Sequence, residues 1–215
     1  AALGARRETD HLVLLYSPTG PWAKEIDLHA ADAEFRFAQL EAALGAAPDG
    51  RITCYLFDNP TEKRRLMGAS HTQVAKPWRR EIYLQYESFP HPVIKHELAH
   101  ALAGAFGDPI FAVARRDVRF NIGLIEGLAV AVGDREGRLT LDQQVKAMRA
   151  LGMEPPLSRV LGLGFFGEPP ARSYTVAGSF VRFLLDEKGP APLRELYRRG
   201  GAPAAFRDAY GEPFE

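Results

Sequence analysis

The segment His96-Glu97-Leu98-Ala99-His100 (HELAH) is an instance of H-E-x-x-H. On a helix, residues i and i+4 stack on one face, so the two imidazoles can reach one ion together. Glu97 stands about 100° further round the helix axis. There it can touch a water on that ion without ligating the ion. A second carboxylate raises its own question. NIGLIEGLAVAVG (121–133) is nearly all apolar, yet Glu126 sits in its middle. A lone carboxylate taken out of water is costly unless something positive meets it. No Lys or Arg lies within four positions of Glu126, so a helix-neighbour salt bridge cannot compensate it.

Catalytic zinc takes three protein ligands and keeps water in the fourth position, and two His plus one Glu is such a set. The expectation is therefore Zn²⁺ held by His96, His100 and Glu126. Such an ion lowers its water's pKa to roughly 7, and Glu97 is the expected general base that takes the water's proton. The plain alternatives are a core helix with two hydrogen-bonded histidines, and a Glu126 that faces solvent.

VIKHELAHAL followed by LIEGLAVAV resembles the gluzincin metallopeptidases, specifically the compact peptidase MA-like group, with HExxH on one helix and E-G-L-A on the next. YTVAGSFVRFLLDEKG resembles the helix that follows in such proteins, and the likeness spans roughly residues 80 to 190. The resemblance implies a zincin-like fold and a zinc-dependent peptidase, more an endopeptidase than an exopeptidase, acting on peptide or protein substrates. It also implies Tyr174 as a second donor to the oxyanion, with His71 and His91 as weaker alternatives. The sequence departs from several relatives. Ala103 and Phe106 stand where the metzincin extension needs Gly and His. Val130 stands where thermolysin-like enzymes place an imidazole-orienting Asp, and the G-x-M-E-N signature of the aminopeptidases is absent. The competing expectation is a catalytically inactive zincin-like module with a structural zinc or a protein-binding role. A metal-free helical domain is a third.

The elements that must position these residues fall into two halves. HLVLLYSP (11–18) and RITCYLFDNP (51–60) are apolar, partly β-branched runs closed by Pro, which suits strands entering turns. Between them HAADAEFRFAQLEAALG has helical spacing and stops at Gly45. EIYLQYES (81–88) alternates apolar and polar residues and reads as a half-exposed strand, the expected edge of the substrate cleft. After Pro90 the pattern is helical: 93–107, 121–133, 141–152, 173–189, then PLRELYRRG and APAAFRDAYG, with a Gly/Pro-rich connector LGLGFFGEPP. Gly178 and Ser179 suit close helix packing. The expected fold class is α+β, one domain over residues 1–215, with a strand-bearing lobe to residue 90 and a helical lobe from 91 that carries the zinc site.

The 215 residues are 46% apolar and 25% charged, enough for a substantial core. Twenty-seven basic residues balance twenty-seven acidic ones, which gives no support for a nucleic-acid partner. The pairs Arg79-Arg80 and Arg198-Arg199 read as solvated faces. Cys54 is the single cysteine, so an intrachain disulfide and a Cys-based metal site are excluded. No apolar run approaches the ~20 residues of a membrane span. The opening AALGARRETD lacks an initiator Met. An export signal or tether outside these residues is therefore an open alternative, and neither compartment nor oligomeric state is fixed.

Overall fold

The structure, a computed structural model, describes residues 3–134 and 137–211. It is mixed α+β, with strands concentrated in the first half and helices in the second. The main sheet has the order β1-β2-β3-β5-β4, formed by β1 (Ala5–Glu8), β2 (Leu12–Tyr16), β3 (Ile52–Phe57), β4 (Val74–Lys76) and β5 (Glu81–Gln85). β2, β3 and β5 run parallel, while β1 and β4 are antiparallel edges.

Helix α1 (Pro21–Leu44) crosses the sheet, with Trp22, Ala30, Ala33, Phe37, Leu40 and Leu44 buried. It ends where the reading places it: Gly45 has φ 62° and caps the helix through Glu41 O. Its start at Pro21 is earlier than the apolar spacing shows, because a break at Glu25 (φ −131°) separates the first turn from the periodic part. Two short elements were not anticipated: β4, and α2 (Pro60–Met67), which is capped by Asn59 and Gly68.

The second half begins with α3 (Ile94–Ala103), which carries HELAH, buries Leu98 through Ala103 and packs against α1, β4 and β5. A two-stranded hairpin, β6 (Arg115–Arg116) and β7 (Arg119–Phe120), leads into α4 (Ile122–Val132). Then follow α5 (Leu141–Ala150), α6 (Leu157–Val160), a 3-10 turn at Leu163–Gly167, α7 (Pro170–Lys188), α8 (Pro190–Arg198) and α9 (Pro203–Tyr210). One hydrophobic core joins the two halves: Leu12, Ile52 and Leu84 of the sheet, Leu98 and Leu102 of α3, Leu128 of α4 and Val181 of α7 belong to a single cluster.

The half-exposed edge expected at residues 81–88 is corrected. All five residues of β5 are buried, and β5 lies between β3 and β4. The polar side chains of Glu81 and Tyr83 are covered by partners. The Tyr83 hydroxyl donates to Glu81, Arg79 pairs with Glu81 at 3.0 Å, Tyr83 stacks on Tyr55, and the Lys76 ammonium lies 4.3 Å from the Tyr83 ring centre. Alternation reports two different faces, and here both faces are covered. The free edge on this side is β4.

Candidate metal centre

α3 presents His96 and His100 on one face, and their Nε2 atoms lie 3.1 Å apart. Glu126 comes from α4, which is started by Asn121: its side chain accepts from Leu124 N at 3.0 Å. Glu126 Oε2 is 3.4 Å from His96 Nε2 and 3.5 Å from His100 Nε2. Among the described residues these three form one group of potential metal ligands.

The lengths of the triangle are informative. Charge-assisted hydrogen bonds run to about 2.7–2.9 Å, shorter than either Glu126–imidazole separation. Ligands on a tetrahedral zinc with bonds of about 2.0–2.1 Å lie about 3.3–3.4 Å from each other. The three observed edges bracket that value, so the donor set fits a divalent ion in type and in spacing. His96 and Glu126 keep 25% and 22% of their side-chain surface, which leaves one side of the group open.

Helix packing sets this geometry. A Cβ on Gly127 would lie 2.6 Å from the Ala177 carbonyl, and one on Gly178 would lie 2.3 Å from Val130 Cγ1. Only glycine at both positions lets α4 and α7 approach so closely, as the reading of Gly178 expects. The approach brings Tyr174 of α7 beside Glu126. Burial first, then the charge of Glu126 and a hydrogen bond to it, push the Tyr174 hydroxyl up to about 12. Its ring lies 6.4 Å from that of His96 and packs edge-on against Phe165 at 5.0 Å.

The electrostatics follow from burial and proximity. Glu97 is only 6% exposed, and burial raises its pKa against the opposing pull of His100, His96 and Lys63. Burial would also raise Glu126, but the close approach and the charges of both imidazoles outweigh it and hold the carboxylate well below its usual range. His100 is correspondingly raised: burial would lower it, but the nearby Glu126 carboxylate outweighs burial. The lone Cys54 is remote from this chemistry, its thiol pushed to about 12 by burial.

Two supporting groups had no readable sequence signal. Asp134, just beyond α4, pairs with Arg36 of α1 and with Lys95 of α3 at 3.1 Å, and Arg36 also pairs with Asp32 at 2.7 Å. This ties the helix of His96 to the end of the helix of Glu126. Lys63 is the other group. The partners of Asp134, Arg36 and Lys95, are distant in sequence, and no spacing could reveal them. Of the weaker oxyanion alternatives, His71 is exposed on a bend. His91 is buried away from the group, with its Nε2–H donating to Gln85 O at 2.9 Å.

No helix among the described residues is long and apolar enough to cross a membrane. No family model matches the chain, and no curated protein does either.

Proposed function

We propose that the protein is a zinc-dependent peptidase of gluzincin type with a zincin-like fold. The observation that carries this reading is the His96–His100–Glu126 triangle, whose two Glu126–imidazole edges are longer than charge-assisted hydrogen bonds and close to ligand spacing on one ion, with Glu97 beside it. A zinc ion bound there supplies Lewis-acid activation of a water and of a peptide carbonyl. The chain's own residues do the rest. Glu97, in a dry setting that strengthens its basicity, takes the proton of the attacking water and delivers it to the leaving amine. The Tyr174 hydroxyl donates a hydrogen bond to the carbonyl oxygen as that oxygen gains charge. The outer edge of β4 offers unpaired main-chain groups to an extended peptide.

The alternative of a structural zinc is less well supported. Structural sites close all four positions, whereas this group has three protein donors among the described residues and an open side. A structural site also has no use for a buried Glu97. The test is zinc content and peptide-library cleavage of the wild type beside Glu97→Gln. Stoichiometric zinc in both, with cleavage reduced about 10²–10⁴-fold in the variant, is the expected result. Equal cleavage by both would remove Glu97 from the mechanism.

A further inference from the structure

Lys63 is fully buried, the one buried residue of α2. Fully buried lysines are rare unless paired, and no carboxylate among the described residues lies within ion-pair distance of this one. Its ammonium is met by neutral oxygens: it donates to Thr72 O at 2.7 Å and to Gln73 Oε1 at 2.8 Å. The same Gln73 oxygen accepts Gln85 N at 3.1 Å, and Gln73 Nε2 donates to Glu87 at 2.9 Å.

The place of these bonds in the sheet is specific. β4 pairs with β5 through Val74↔Tyr83, Ala75↔Ile82 and Lys76↔Glu81. Continued toward the start of β4, the register would set Thr72 opposite Gln85. Instead the Gln85 N–H is taken by a side chain and the Thr72 carbonyl by the ammonium. The Gln85 carbonyl is taken in turn by His91 Nε2–H at 2.9 Å, so Lys63, Gln73 and His91 together end the ladder, and the chain leaves the sheet at Gln73. This happens beside the metal centre: α3 packs on both strands, and Lys63 and Glu97 attract each other.

Such a cation is kept at a cost. Burial lowers the Lys63 pKa to about 8 despite the pull of Glu97 and Glu87. The unfolded chain therefore holds this proton more firmly than the folded one. We propose that Lys63 is a positioning residue for the substrate: by helping to end the β4–β5 ladder at Thr72–Gln73 it sets the path of the edge strand opposite the HELAH helix, and so the register in which an extended peptide pairs with β4. The inference rests on the peptidase reading and deepens it.

The experiment compares wild type, Lys63→Met, Lys63→Arg and Gln73→Leu on an octapeptide substrate. Lys63→Met should keep its zinc and remain folded at neutral pH. Its KM should rise about tenfold while kcat changes less than about twofold. Gln73→Leu should show the same split, and Lys63→Arg should recover part of the loss because it retains donors. An unchanged KM in a folded Lys63→Met overturns the proposal. Should that variant fail to fold, an unchanged KM in Gln73→Leu overturns it instead. Binding of the octapeptide to Glu97→Gln separates the two levels. If the wild type cleaves and the variant binds, but the Lys63 and Gln73 substitutions leave KM alone, only the role of Lys63 falls. Absence of both cleavage and binding removes the peptidase reading with it.

Discussion

The molecule contains two pairs of buried or half-buried histidines set in contrasting surroundings. His96 and His100 turn their Nε2 atoms toward each other and toward Glu126. His29 of α1 and His91, in the loop before α3, both pack on Trp22, with ring centres 4.6 and 5.4 Å from it. Phe89 closes on His29 at 5.1 Å, and the nearest carboxylate, Glu25, stays 3.9 Å away. Neither nitrogen of His29, nor Nδ1 of His91, has a hydrogen-bond partner among the described residues. In the first pair a carboxylate outweighs burial and raises His100. In the second, burial dominates, each remaining charge effect is weaker, and both pKa values fall. Burial alone makes an imidazole a neutral packing group; a carboxylate at ligand spacing makes the same side chain half of an ion site.

The sharpest way to break this contrast is to remove the carboxylate. Glu126→Ala should lose stoichiometric zinc and with it all peptide cleavage, because two imidazoles alone leave the site short of the three protein ligands that catalytic zinc takes. Zinc retained at one equivalent by elemental analysis would refute the assignment of Glu126.

A smaller effect is expected next to the group. Tyr174→Phe keeps the ring packed on Phe165 and deletes only the hydroxyl. Loss of one oxyanion donor costs about 10²-fold in kcat, with KM and zinc content nearly unchanged. Steady-state kinetics on one peptide decides this, and an unaltered kcat leaves Tyr174 as a packing residue.

The smallest effect tests the second pair. His29 and His91 are lowered below the ordinary 6.5, so on acidification the unfolded chain takes up protons that the folded one resists. Their contribution to stability is present above that value and is lost as pH falls below it. The groups facing His29 are Glu25 and Asp32 of its own helix, which partly oppose the shift, and His91, which adds to it. His29→Phe suits the aromatic surroundings and should lose a few °C less in melting temperature than wild type between neutral and mildly acidic pH. Parallel melting curves for the two proteins would show that His29 titrates normally.

Much of the candidate site was legible because its logic is local. HELAH places two imidazoles on one helix face by spacing alone, and Glu126 stands out as a charge that its apolar helix cannot explain. Gly45 stops α1, and the apolar runs at 11–18 and 51–60 contain β2 and β3, since turn chemistry and side-chain period act over a few residues. β4 was not legible, and α2 was missed although Asn59, Pro60 and Gly68 mark its ends. Three residues carry no period, and α2 buries only Lys63, a residue type read as surface.

What tertiary structure alone decided is which of these locally defined pieces meet. Alternation in residues 81–85 is a property of the strand, but whether its polar face meets water depends on Tyr55, Lys76 and Arg79 arriving from elsewhere. The place of Tyr174 beside Glu126 depends on Gly127 and Gly178 letting α4 settle on α7, and Asp134, just beyond α4, ties that helix to α1 and α3. Sequence specifies period, caps and the cost of burying a given side chain, because those are short-range. It leaves open the pairing of distant surfaces, which is set by the packing of the whole core.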